Sequence, residues 1–135
     1  MAATFSYKLQ ILEHHLDSYG HVNNAVYLQL FEEARWDFIT TRSYGLEEIN
    51  QRGFGPVVLE LQLKFRKELL NREWITIESV ANEMEHKLIG SLSQVMKKES
   101  GQVAATLDLK VGLMDIKARK LTPPTKDWLH AIGLD

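Results

Sequence analysis

In the stretch LDSYGHVNNAVY, residues 16–27, the side chains of Asp17, His21, Asn23 and Asn24 crowd into a few positions around Gly20. A helix-like pattern begins directly behind them. A carboxylate placed there can take a proton from water or attack an electrophile itself. The first N–H groups of a helix point at such a site, and the dipole favours negative charge. A carbonyl bound against those donors is stabilised as it becomes an oxyanion. Together these residue types suggest acyl transfer, with Asp17 as the reacting carboxylate and His21 orienting the carboxylate or water, or polarising the carbonyl. Val22, Asn23 and Asn24 supply the candidate oxyanion donors. An Asp near pKa ~3.9 is a weak base, so catalysis at neutral pH asks for partial burial. The competing structural account is a loop whose Asp and His bond only the backbone. In that account Asn23 or Asn24 caps the helix and Gly20 serves a turn.

The cluster has to be held by the elements around it. In FSYKLQIL, Phe5, Tyr7, Leu9 and Ile11 alternate with polar residues, as in a half-buried strand. From Asn24 to about Thr41 the period changes. Tyr27, Leu30, Phe31, Ala34 and Phe38 recur at three and four, which predicts an amphipathic helix of about five turns. Gly45, Gly53, Gly55 and Pro56 break the pattern, with LEEINQR as a short second helix between them. Alternation then returns. Leu59, Leu61, Leu63 and Phe65 share one face of a strand, and Glu60, Gln62, Lys64 and Arg66 the other. EWITIESVAN and KLIGSLSQVM follow with weaker alternation, then a turn at ESG. QVAATLDLKVGLM is the clearest strand, Pro123 and Pro124 end the sheet, and KDWLHAIG is a short terminal helix. Short connections favour antiparallel pairing. A sheet with one apolar face needs a cover, and the long helix is the only large apolar partner. The expected architecture is α+β: a curved five-stranded antiparallel sheet wrapped around one long central helix. Edge strands need protection, which a second copy can give.

Composition narrows the function classes. The 135 residues are read as one domain, 1–135, long enough to bury a core without staples. There is no cysteine, which excludes disulfides, thiolate metal sites and a cysteine nucleophile. A net charge of −2 gives no footprint for nucleic acid. No apolar run approaches the ~20 residues of a membrane span, and MAATFSYKLQ does not look like a signal peptide. The expected setting is cytoplasmic, with no membrane insertion.

The run D-S-Y-G-H-V-N-N-A-V-Y-L, followed by FEEAR, resembles the signature of hotdog-fold acyl-CoA thioesterases of the hydroxybenzoyl-CoA thioesterase-like branch. The strand–helix–strands order is similar to that fold over nearly the whole chain. The resemblance implies hydrolysis of an acyl thioester, Asp17 as catalytic carboxylate, and no cofactor. It implies a homodimer or homotetramer whose sheets join edge to edge, with active sites at the interface. The stretch is also similar to plant acyl-carrier-protein thioesterases, whose catalytic Asp and His fall on Asp17 and His21. Their intervening Asn falls on Tyr19, which puts an Asn-assisted mechanism in doubt here. CoA and a carrier protein both remain open as the thiol carrier.

Other residues carry weaker expectations. Tyr19, Gly20 and Tyr27 flank the cluster and are expected against substrate, with Phe54 at a pocket rim. Trp36, Phe38 and Trp128 are further acyl-pocket candidates, Phe38 fitting core packing better. Lys64, Arg66, Lys67 and Arg72 form a basic cluster suited to the phosphates of CoA, as do Lys117, Arg119 and Lys120. Glu60, on the polar face of the same strand, is a further substrate-binding candidate beside Lys64 and Arg66, with solvent or an interface as its alternative. His14, His15, Asp17 and His21 fit no standard zinc spacing, so no metal is expected. Glu32 and Arg35 read as a helix-surface ion pair. Two rivals use the same fold: a dehydratase or hydratase on acyl thioesters, and a non-catalytic acyl-CoA binder.

Overall fold

The computed structural model describes residues 2–135. Strand β1 is Thr4–Gln10, followed by a single 3-10 turn at Glu13–His15. Helix α1 is Asn24–Thr41 and helix α2 is Leu46–Arg52. Strands β2 (Phe54–Phe65), β3 (Trp74–Ala81), β4 (Ile89–Lys98), β5 (Val103–Asp115) and β6 (Lys120–Thr122) follow, then helix α3 (Lys126–Ala131). The five long strands form one antiparallel sheet in the order β1-β3-β4-β5-β2. The sixth, β6, was not among the expected five. It pairs with Leu113–Asp115 of β5 beyond the end of β4.

One face of the sheet carries the core. Leu107, Leu109, Val111 and Leu113 of β5 alternate inward, as the period-two pattern requires. Tyr27, Leu30, Phe31, Ala34, Phe38 and Ile39 of α1 are buried with them in one cluster. Phe38 stacks on Phe5 of β1, with centroids 4.5 Å apart. The weak alternation of β4 has a cause: its inward row reads Leu92, Gln94, Met96, so a polar residue occupies a core position. Gln94 is tolerated because its amide donates to the Phe31 carbonyl of α1 at 3.0 Å and to Ser79 Oγ at 2.9 Å. Arg35 completes this network, donating from Nη1 to Gln94 Oε1 at 2.9 Å. The expected surface pair of Arg35 with Glu32 is therefore not formed. Arg35 turns inward because Gln94 offers an acceptor there.

β2 is an edge strand of 12 residues. A bulge between Val58 and Glu60 inserts Leu59 and resets the alternation. Val58 rather than Leu59 stands opposite inward Val111, while Leu61, Leu63 and Phe65 stand opposite inward Leu109, Leu107 and Ala105. The bulge therefore removes Leu59 from the row predicted for it. Val58, Leu61 and Phe65 all remain exposed along this free edge. Among the described residues, no helix is long and apolar enough to cross a membrane.

Candidate active site

The segment before α1 is a tight loop pinned at both ends. Leu16 and Val22 form an isolated bridge. Asp17 N–H donates to the His21 carbonyl at 2.8 Å, and Gly20 N–H returns to the Asp17 carbonyl at 3.1 Å. Gly20 has φ +83°, a left-handed conformation that glycine adopts without strain. The Asp17 side chain serves the same turn: Oδ1 accepts from Tyr19 N–H at 2.8 Å. One carboxylate oxygen is thereby fixed, which orients the other.

Asn23 is the N-cap of α1, with extended backbone and Oδ1 accepting from Ala25 N–H at 2.9 Å. This decides between the two asparagines. It also narrows the expected oxyanion donors. Val22 N–H donates to the Leu69 carbonyl at 3.1 Å and Asn23 N–H to the His15 carbonyl at 3.1 Å. Those two amides are consumed by holding the loop. Asn24 N–H has no backbone partner among the described residues and is the first-turn donor left for a ligand.

Asp17, His21 and Val22–Asn24 line one open recess of about 510 Å³. Buried Tyr27 forms its floor, set edge-on to Phe65 at 5.1 Å, and burial raises the Tyr27 phenol above its usual range. Arg66, Lys67 and Glu68, just past the end of β2, close the far wall. His21 is expected to orient the carboxylate or the water, or to polarise the carbonyl. Its Nε2 faces Glu68 Oε2 at 3.0 Å, and its link to Asp17 runs through the backbone. Glu68 went unnoticed in the sequence because it sits inside a basic run. Glu68 lies in phase with the polar-face series Glu60, Gln62, Lys64 and Arg66, so alternation gives no separate signal for it.

The remaining expected site residues lie elsewhere. Tyr19 is highly exposed on the turn beside Gly20, outside the recess lining. Glu60 pairs with Lys110 at 3.0 Å on the opposite, polar face of the sheet, and Lys64 stands on that face opposite Thr106. Phe54 opens β2 at the other end of the strand, where its carbonyl accepts from Tyr44 Oη at 3.1 Å. Within one chain, strand geometry separates these three from the recess: alternation turns Glu60 and Lys64 away, and Phe54 lies a strand length from Phe65. Arg72 leaves the basic cluster to pair with Glu13 through both its Nε and Nη2. His15 Nδ1 accepts from Leu12 N–H at 2.9 Å, and no cluster of three or more metal-ligating side chains occurs among the described residues.

Residues 12–132 match the family model described as the thioesterase-like superfamily. The chain belongs to this superfamily. It is 33% identical over 114 residues to the long-chain acyl-CoA thioesterase FadM of Escherichia coli, a match covering 84% of this chain and 85% of FadM. Among solved structures it is similar to YbaW, a probable thioesterase from Escherichia coli, at 27% identity and TM-score 0.83, covering 96% of this chain and 97% of that one. It has the fold of Slr0204, a 1,4-dihydroxy-2-naphthoyl-CoA thioesterase from Synechocystis, at 20% identity and TM-score 0.86, with 96% of each chain covered. The chain is thus a thioester hydrolase of the hotdog superfamily, and the resemblance carried by residues 17–28 and 31–35 extends over residues 12–132.

Proposed function

We propose that this acyl-CoA thioesterase cleaves long-chain acyl-CoA at the mouth of α1, with Asp17 as the reacting carboxylate. The observation that supports this most is the convergence in one recess of a turn-held carboxylate, a helix-terminal N–H without a backbone partner, and the cations Arg66 and Lys67. The thioester carbonyl sits against Asn24 N–H, which stabilises the oxyanion as attack proceeds. Asp17 acts in one of two ways. It takes a proton from a water that adds to the carbonyl, or it attacks and forms a mixed anhydride that water then opens. Either way the C–S bond breaks, the acid is released, and the thiolate sulfur takes up a proton. In single turnover in oxygen-18 water, label in the Asp17 carboxylate shows an anhydride that water opens at the Asp17 carbon, whereas direct attack of water on the thioester labels the product acid alone. Arg66 and Lys67 hold CoA phosphates by charge-assisted contacts. His21, tied to Glu68, steadies the rim.

The working unit in this proposal is one hotdog domain per chain, paired as a homodimer along β2. A long edge carrying exposed Val58, Leu61 and Phe65 invites pairing with its own copy, which covers the apolar row and satisfies free backbone groups. A cytoplasmic setting belongs to the same proposal and is checked by cell fractionation. The long-chain preference extends to this chain what the name of FadM states of FadM.

A thiol-release assay over acyl-CoAs of graded length tests the assignment. Wild type releases thiol, and Asp17→Asn is slowed by at least about a hundredfold. An Asp17→Asn protein with the parental rate on every substrate would overturn the role of Asp17. Enoyl product in place of free thiol would favour a dehydratase.

A further inference from the structure

Arg35 is costly where it stands. Its guanidinium carries five N–H donors, yet among the described residues its one hydrogen bond goes to Gln94 Oε1. It joins no salt bridge among the described residues. Desolvation pulls its pKa below the ordinary arginine value, partly offset by the nearby Glu32 charge. Gln94 cannot turn to relieve it. Arginine only donates, so Oε1 must face it, while Nε2 serves Phe31 and Ser79. No buried polar side-chain atom is left without a partner among the described residues, so the remaining Arg35 donors are accessible. Arg35 lines a cavity of about 90 Å³ between α1 and the sheet, walled also by Trp36, Ile39, Pro56, Val58 and Leu92, with Glu32 on its lining. At ~15 Å³ for each water it holds roughly six, enough for the end of an acyl chain.

The cavity and the recess share no lining residue. Within one chain they lie toward opposite ends of α1 and of β2: Asn24 and Phe65 at the recess, Arg35 and Val58 at the cavity. Asn24 and Arg35 are about 17 Å apart along the helix. Antiparallel pairing of two β2 edges reverses that order across the joint. In a symmetric pairing centred near the middle of β2, the Phe65 end of one strand lies toward the Pro56 end of its copy, which sets each recess on the side of the other chain's cavity.

We infer that Arg35 of the partner subunit reads the far end of the acyl group and favours one that carries a terminal hydroxyl. This rests on the thioesterase assignment and on pairing through β2. A hydroxyl accepts from Arg35 and can donate to Glu32, so it answers both polar walls. A terminal carboxylate meets the like charge of Glu32. A plain hydrocarbon end strips water from the guanidinium and returns nothing. A site built to bond a hydroxyl rejects the analogue lacking it more strongly than an apolar pocket rejects an extra methylene.

The test uses calorimetric titration of the full-length Asp17→Asn protein, which removes turnover, with ω-hydroxyacyl-CoA and plain acyl-CoA of matched length over a series of lengths. The hydroxylated ligand binds about tenfold or more tightly at one favoured length, as expected for a hydrogen bond to a charged group. Adding Arg35→Met brings the two affinities to within about twofold, while Arg35→Lys keeps part of the preference. Equal affinities in the Asp17→Asn protein, no binding of either ligand, or a preference that survives Arg35→Met would each overturn the inference. The Asp17→Asn comparison decides even if Arg35→Met does not fold. Thiol release by wild type from plain acyl-CoA reads the thioesterase assignment separately, so the two fail distinguishably.

Discussion

Asp17 and His21 are joined through their backbones, Asp17 N–H to the His21 carbonyl at 2.8 Å, while their side chains take different partners. Asp17 Oδ1 accepts from its own turn, and His21 Nε2 lies 3.0 Å from Glu68 Oε2. The loop is thus built to hold Asp17 still, and His21 contributes to that frame from outside the carboxylate.

Asp17→Asn should separate chemistry from architecture. Asn keeps an Oδ1 acceptor for Tyr19 N–H, so the turn survives. The urea midpoint stays at the parental value while thiol release falls at least about a hundredfold. Loss of both together would mean that Asp17 is a structural residue.

Asn23→Ala removes the N-cap of α1. We expect a loss of about 1 kcal/mol in unfolding free energy. Asn24→Ala, which leaves the backbone donor in place, should cost much less. Equal effects in urea titrations would contradict the assignment of Asn23 as the cap.

Gln94→Leu should be the more damaging core change. It strands Ser79 and withdraws the single hydrogen-bond acceptor of Arg35. Each stranded group costs about 1–3 kcal/mol, so a loss of at least about 2 kcal/mol is expected from denaturation. A neutral result would show that water replaces these partners freely.

His15 gives a pH signature. Burial, followed by the neighbouring His14 charge, lowers its pKa below the ordinary 6.5. The unfolded chain therefore binds this proton at higher pH than the folded one. The stability it contributes is complete above about 6.5 and is lost as pH falls toward the lower folded value. Urea midpoints at pH 7.5 and 5.5 should fall further in wild type than in His15→Asn, which cannot titrate. Parallel falls in the two proteins would refute the assignment.

Leu61→Asp places a charge on the exposed row of the β2 edge. Sedimentation should show wild type as a dimer and the variant shifted toward monomer. A wild-type monomer would reject pairing along β2.

Much of this architecture was legible before the fold was known. The change from period two to period three-and-four placed β1 and α1. The return to alternation placed β2 through β5, because hydrophobic spacing records which residues must turn inward. The polar crowd before Asn24 marked the recess, since side chains that cap a helix and serve a turn must be near in sequence. Val58 and Leu59 were harder. A bulge leaves the local composition unchanged, and only the pairing with β5 shows where the phase slips.

By itself, then, the sequence determined the α+β order of elements, the turn at Asp17–Gly20 and the position of the helix mouth, all properties of contiguous residues. Tertiary structure decided what depends on residues far apart in the chain. It brought Glu68 to His21 and Leu69 to Val22 N–H, which left Asn24 as the remaining donor. It turned Glu60 and Lys64 to the far face, and drew Arg35 inward to Gln94. Hydrogen-bond partners are chosen by distance in space, and a linear pattern of hydrophobicity carries no record of which polar groups will meet.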